Sequence, residues 1–231
     1  EVRPVAPLPP SPPPQPDAAS VAAAARMIAA ARRPLIMVGA GALGAADVVR
    51  ELATLLQAPV TAHRSGKGIV GEDSPYGMSL VAAWEYWREC DLLIGIGSRL
   101  ELQYLRWRWF PQELRVVRVD IDPTEMVRLR PEIGIVTDAA LGTRALIAAL
   151  RPMVGARASR ESQFLAIKER ARAAIQSVAP QMAYLNVIRE LLPRDGFFCE
   201  EISQAGFTAR FGFPVYQPRQ YLTCGYQDNL G

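Results

Sequence analysis

Two groups of residues have a spacing that indicates a ligand site. One is a set of glycines that follow an apolar run, and the other is a pair of acidic residues that end a later apolar run. Gly39, Gly41 and Gly44 have the spacing G-x-G-x-x-G and precede an amphipathic segment. Such a turn between a strand and a helix lets a phosphate approach backbone N–H groups. Asp120 and Asp122 end a later apolar run, where carboxylates can accept hydrogen bonds from ribose hydroxyls. These residues predict a nucleotide site.

The same residues also have plainer interpretations, which stay open at this point. A dinucleotide site of the usual kind needs an acidic residue at the end of the second strand, about 20 residues after the glycines. The sequence has residues 60–64 there, without a carboxylate, which argues against NAD-dependent oxidoreduction. The glycines could serve a purely structural tight turn, and Asp122 could simply cap the helix that follows it.

Three cationic or titratable residues follow predicted strands. Arg99 comes directly after the apolar run that ends in Gly97, and adds a positive charge to the predicted nucleotide site. His63, the only histidine, has no serine or cysteine nucleophile motif nearby, so we interpret it as a hydrogen-bonded loop residue rather than a catalytic base. Lys67 lies in a glycine-containing loop, where we expect it to be solvated.

The elements that must position these residues are short apolar runs separated by segments of helix length. This alternation predicts an α/β fold with a doubly wound parallel sheet covered on both faces. The ligand site should lie where its strands end. A first helix, capped by Asp17 and Ser20 and extending to Ala31, should bury Val21, Ala24, Ala25 and Ile28. The predicted strands are residues 35–38, 59–61, 92–97, 116–122 and 133–138.

Composition excludes several functional classes. The 231 residues are 50% hydrophobic, and 26 Lys and Arg residues nearly balance 23 Asp and Glu residues. The basic residues are scattered, so no nucleic-acid partner is expected, and no run reaches the roughly 18 apolar residues of a membrane span. The three cysteines have no metal-ligand spacing, which is typical of reduced thiols in a cytoplasmic protein. Residues 1–17 are rich in proline and predict an extended linker.

Five blocks of sequence, in order, resemble the central domain of thiamine diphosphate-dependent enzymes of the acetolactate synthase type. The blocks are residues 33–41, 61–68, 90–99, 119–123 and 137–138. The resemblance covers about residues 18–152 and implies a Rossmann-like domain that binds FAD, ADP or no nucleotide in different members. The residues it would place against FAD or ADP are Gly39, Gly41, Arg99, Asp120 and Asp122. Arg99 is followed by Leu100 and Glu101, whereas flavin-binding members carry paired acids in this segment.

The rest of the chain resembles the start of the diphosphate-binding domain of the same family. We expect a linker and helix over residues 153–180 and a truncated second α/β domain over residues 181–231. By this resemblance Ser203 and Gln204 would contact diphosphate oxygens, and Leu230 would support the bent cofactor. The sequence departs from the family at residues 201–203, which read Glu-Ile-Ser where the family has Asp-x-Gly.

The resemblance implies an enzyme that uses thiamine diphosphate and Mg²⁺ to decarboxylate or ligate 2-oxo acids, as a homodimer or homotetramer. The family's metal motif and its activating carboxylate match nothing in this sequence, so we expect a fragment that is inactive alone. The alternatives are a noncatalytic module that binds FAD or ADP, as in other nucleotide-binding folds, and a subunit-interface module. In the interface module, Trp84, Trp87, Trp107 and Trp109 would make the contact.

Overall fold

A computed structural model describes residues 11–107 and 109–225. Its first sheet contains six parallel strands, in the order β3-β2-β1-β4-β5-β6. The strands are β1 Pro34–Val38, β2 Val60–Ala62, β3 Gly77–Met78, β4 Leu92–Ile96, β5 Arg115–Asp120 and β6 Ile133–Val136. This strand order is that of a doubly wound sheet. Strands are added on one side of β1 up to β3 and on its other side from β4 onward, so the topological switch point lies between β1 and β4. The predicted fold class is confirmed.

The helices form two groups that flank this sheet. The helices of the described residues are α1 Ala18–Ala30, α2 Ala46–Leu56, α3 Leu80–Trp87, α4 Glu101–Leu105, α5 Ala139–Leu150, α6 Glu161–Ile175, α7 Gln181–Leu191 and α8 Gln204–Gly212. α5 contacts both α1 and α2, and α3 contacts α6. No helix among the described residues is long and apolar enough to cross a bilayer.

The first helix forms as its sequence predicts. The Asp17 carboxylate accepts a hydrogen bond from the Ser20 backbone N–H at 2.8 Å, so Asp17 is the cap and Ser20 lies inside the first turn. The four apolar residues predicted to face the core are all buried. Their burial joins α1 to the large core that contains the strands of the six-stranded sheet.

A smaller core lies in the last third of the described chain. β7 Phe198–Glu200 and β8 Tyr221–Thr223 pair in parallel, and α7 and α8 pack beside them. The buried residues of this smaller core are Met182, Leu185, Ala209, Phe213, Val215 and Tyr221. α6 belongs to the large core, because Phe164 is fully buried against the rings of Tyr76 and Tyr86.

The predicted position of Lys67 in solvent is wrong. Its side chain is only 3% exposed, and its Nζ donates a hydrogen bond to Glu72 at 2.9 Å. The ammonium group also lies 5.6 Å from the ring centroid of Tyr221, in the smaller core. Burial is tolerated here because the ion pair compensates for lost hydration. Lys67 therefore contributes to the contact between the two cores.

Candidate functional site

The glycine turn after β1 packs directly against the turn after β4. The N–H of Gly39 donates to the Ile96 carbonyl at 3.2 Å, and that of Gly41 donates to the Gly97 carbonyl at 3.1 Å. A Cβ on Gly41 would lie 2.9 Å from the Gly97 Cα, and Gly97 itself has a positive φ of 54°. These donors are already paired, so the glycines allow two turns to approach each other rather than forming a phosphate cradle. The structural interpretation of the motif is the better one.

We predict that Gly39→Ala destabilises the protein by about 1–3 kcal/mol, because the new methyl group would overlap the Gly97 carbonyl oxygen. Gly44→Ala is the matched control, since nothing lies within 4 Å of a Cβ at Gly44. That substitution should be neutral or stabilise by up to about 1 kcal/mol. Urea unfolding of both variants measures the difference, and equal losses of stability would contradict the close packing of the two turns.

The two predicted acids end β5 in different environments. Asp120 is buried, and its Oδ1 accepts a hydrogen bond from the Asp122 N–H at 3.1 Å. Burial raises the pKa of Asp120 above its ordinary value, more than the hydrogen bond and Arg118 lower it. Asp122 is exposed and caps the short 3-10 helix Pro123–Val127, accepting from the Thr124 N–H at 2.8 Å. Hydrogen bonds from Thr124 lower the pKa of Asp122.

Arg118 holds this end of the sheet together, and sequence reasoning missed it. Its side chain on β5 is fully buried and donates to the Ser98 and Arg128 carbonyls, each at 2.6 Å, and to the Glu125 carbonyl. These carbonyls belong to the turn after β4 and to the segment after β5. The only signal in the sequence is a charged residue inside an otherwise apolar run.

A cavity of about 430 Å³ opens at the carboxyl ends of β1, β4 and β5, and we name it the switch-point cavity. All five residues predicted to contact FAD or ADP line it. Two ion pairs lie in its wall, Arg99 with Glu125 at 3.3 Å and Arg64 with Glu101 at 3.8 Å. Its remaining lining residues are Met37, Ala40, His63, Ser65, Gly97, Ser98, Leu100, Thr223 and Gly225.

His63 is held in its neutral form at the side of this cavity. Burial, and after it the nearby positive charges of Arg64, Arg210, Lys67 and Arg106, lower its pKa to about 3. Near neutral pH this ring therefore carries no charge. A neutral imidazole can donate or accept a hydrogen bond, and the interpretation of His63 as a hydrogen-bonded loop residue stays a prediction.

Ser203 and Gln204, predicted to contact thiamine diphosphate, are not among the residues that line the switch-point cavity. Ser203 caps α8, and its hydroxyl accepts from the Gly206 N–H at 3.1 Å. The Gln204 side-chain oxygen accepts from the Gln181 amide at 2.7 Å. Both side chains are exposed, whereas Leu230 lies outside the described residues. Their contact with the cofactor stays a prediction.

A cluster of buried charged and polar side chains lies in the smaller core, centred on Glu200. Glu200, with a side chain that is 0% exposed, accepts hydrogen bonds from Arg210 at 2.8 Å, from Thr223 at 2.6 Å and from the Tyr221 hydroxyl. Burial and the Glu200 charge raise the pKa of Tyr221, so its hydroxyl stays protonated and can donate. Thr223 lines the switch-point cavity, which connects this cluster to the predicted nucleotide site.

Comparison with known proteins gives one family and several named relatives. The profile of the family described as thiamine pyrophosphate enzyme, central domain, matches residues 21–146. The chain is 32% identical to a probable 2-ketoarginine decarboxylase, AruI, of Pseudomonas aeruginosa, over 87% of this chain and 37% of that protein. It is 37% identical to a probable acetolactate synthase large subunit of Methanocaldococcus jannaschii, over 55% of this chain and 23% of that protein. It is 28% identical to the acetolactate synthase isozyme 1 large subunit of Escherichia coli, over 92% of this chain and 39% of that protein. The chain thus spans less than half the length of these relatives.

Proposed function

The chain belongs to the thiamine pyrophosphate enzymes and carries their central domain, and we propose that it works as part of a thiamine diphosphate-dependent enzyme acting on 2-oxo acids. The reaction would be decarboxylation or carboligation of the acetolactate synthase type. The names of the relatives, acetolactate synthase large subunits and a 2-ketoarginine decarboxylase, support this class of reaction. Homodimeric or homotetrameric assembly and a cytoplasmic location are parts of the same proposal.

The single observation that carries our proposal for this domain is the lining of the switch-point cavity. We propose that the cavity binds an adenine nucleotide, ADP or the ADP half of FAD. Asp120 has a carboxylate oxygen that can accept a hydrogen bond from a ribose hydroxyl, and the positive charges of Arg64 and Arg99 can attract the phosphates. Since the N–H groups of Gly39 and Gly41 are paired with backbone carbonyls, phosphate binding would depend on these two arginines.

The fit to thiamine diphosphate rests on fewer described residues. Thiamine diphosphate, when bound, supplies an electron sink for loss of carbon dioxide from a 2-oxo acid, with Mg²⁺ as the partner of its diphosphate. We propose that Ser203 and Gln204, exposed at the start of α8, would contact the diphosphate. Leu230 would contact the rings. The start of a helix presents backbone N–H groups, and a serine hydroxyl and a glutamine amide can each donate a hydrogen bond to a phosphate oxygen.

Two measurements test these proposals separately. Titration calorimetry of the chain with ADP and with FAD should give binding of one nucleotide per chain, and no heat at high micromolar ligand would overturn the nucleotide proposal. Protein expressed from its complete reading frame should release carbon dioxide from a 2-oxo acid only when thiamine diphosphate and Mg²⁺ are both present. Nucleotide binding without any such release would instead favour the noncatalytic module.

We predict that Asp120→Asn weakens ADP binding about tenfold or more, because a charged hydrogen-bond acceptor is replaced by a neutral amide.

The same variant should melt at a higher temperature than the parent at pH 7. The reason is that the raised pKa of Asp120 makes its charged form unfavourable in the fold, so the destabilisation is fully present above the folded pKa. Below the ordinary aspartate pKa of 3.8 both states are protonated, and the difference should vanish. Calorimetry at pH 7 and thermal melts from about pH 3 to pH 7, a range that includes the ordinary aspartate pKa, check the two results. Unchanged ADP affinity would contradict the role of Asp120.

A further inference from the structure

A second cavity of about 520 Å³ lies beside the switch-point cavity, between α3, α4 and α8, and we name it the aromatic cavity. Its apolar wall consists of Leu80, Val81, Trp84, Leu102, Trp107, Phe207 and Phe211. The rings of Trp84 and Trp107 lie 5.3 Å apart between centroids, tilted at 54°, and present a firm aromatic surface. The volume falls within the range of roughly 300–1,000 Å³ that is usual for small-molecule sites.

The charges around this cavity are mainly positive. Arg64, Arg106 and Arg210 line it against the single carboxylate of Glu101, and His63 is neutral. The lining charges sum to about +2, and Glu200, which pairs with Arg210 from outside the lining, reduces the local sum to about +1. A positive balance favours an anion over a neutral or cationic ligand. Arg106 is exposed and has no carboxylate partner among the residues that the structure describes.

Arg210 supplies the second observation that points to a ligand. Its side chain is only 7% exposed, and its Nε donates to Glu200 at 2.8 Å. Its Nη2 is buried without a hydrogen-bond partner in the described part of the chain. A buried guanidinium N–H without an acceptor is costly, and such groups in folded proteins usually have a protein, water or ligand partner. An oxygen anion in the aromatic cavity would supply that acceptor.

We propose that the aromatic cavity binds a small carboxylic acid with an aromatic or branched aliphatic body. Arg210 and Arg106 would receive the carboxylate, and the Trp84 and Trp107 rings would contact the apolar body. The walls suit this ligand because aromatic surface binds flat apolar groups and guanidinium binds carboxylate in a two-pronged geometry. The two cavities share His63, Arg64 and Glu101, but the inference does not require a bound nucleotide, since the carboxylate is assigned to Arg106 and Arg210, which line only the aromatic cavity.

The test compares three probes without any nucleotide present: 3-phenylpropionate, its uncharged amide 3-phenylpropionamide, and propionate. All four tryptophans lie between residues 84 and 109, so tryptophan fluorescence reports on this region, and calorimetry gives the affinity independently. We expect 3-phenylpropionate to bind at least about tenfold more tightly than the amide, because the charged hydrogen bonds are lost in the amide. Propionate, which lacks the aromatic body, should bind at least about tenfold more weakly than 3-phenylpropionate.

Two variants locate the site. Val81→Phe puts a larger side chain into the cavity from the partly buried face of α3 and should abolish binding, while Arg106→Gln should weaken binding about three- to tenfold. Arg88→Gln is the matched control, because Arg88 is an exposed arginine at the end of the same helix that lines no cavity described here. It should bind like the parent, and thermal melts verify that all three variants are folded. Equal affinity for acid and amide, or unchanged binding by folded Val81→Phe, would overturn the proposal.

Discussion

Replacing Arg118 with methionine should lower the free energy of unfolding by about 3 kcal/mol or more and abolish ADP binding. The substitution removes the donor shared by the carbonyls of Ser98, Glu125 and Arg128, and leaves these acceptors without it. Burial disfavours the charged form of Arg118 and lowers its pKa. Methionine is uncharged and avoids this penalty, which partly offsets the stability lost with the three hydrogen bonds. The loss is larger, because one side chain satisfies three acceptors at once.

Arg118→Met should impair ADP binding more severely than it impairs folding. Ser98 and Glu125 both line the switch-point cavity, so loss of their common anchor would separate two of its walls. Urea unfolding and ADP calorimetry measure the two effects. Arg128→Met is the control, because its side chain is 45% exposed and lies 3.9 Å from Glu125, an arrangement that contributes less than about 1 kcal/mol. An Arg118→Met protein that is as stable as the parent and binds ADP equally well would contradict the anchoring role.

The sheet could be predicted from the sequence because its strands are buried on both faces. Such strands read as continuous Val, Ile and Leu runs, and the runs of β1, β4 and β5 are found where the apolar pattern places them. β3 was not predicted, because it contains only two residues, Gly77 and Met78, and two residues have no periodicity. α8 was not predicted either. Its buried face is made of Gly206, Thr208, Ala209 and Arg210, which do not form an apolar stripe.

The candidate site was partly predictable for a geometric reason. In a parallel sheet the carboxyl ends of neighbouring strands meet at one edge, so Gly39, Arg99 and Asp120 had to lie close together once the strands were assigned. The sequence could not show that Thr223 and Gly225 complete the cavity, because they reach it from the smaller core, about 100 residues further along the chain. It also could not show that Lys67 is buried, since its ion pair with Glu72 depends on packing against Tyr221.

The buried pair of Glu200 and Arg210 gives a further large effect, and a double-variant design separates its charge from its packing. Glu200→Met should cost about 3–5 kcal/mol, because it leaves the Arg210 cation buried without its partner. Arg210→Met should cost a similar amount by leaving the Glu200 carboxylate unpaired. The Glu200→Met, Arg210→Met double variant should lose much less than the sum, because it contains neither unpaired charge.

The position of the pair predicts which part of the molecule responds. Glu200 also accepts from Tyr221 and Thr223, so Glu200→Met should loosen β8 and the smaller core first. The tryptophans all lie in the large core or at its surface, so their fluorescence reports unfolding of the large core. In Glu200→Met, protease cleavage within residues 181–225 should therefore begin at a lower urea concentration than the change in tryptophan fluorescence. Glu201→Met is the control, since Glu201 is an exposed neighbour in the chain. Additive losses in the double variant would show that the two charges do not stabilise each other, and the smaller core would then depend on apolar packing alone.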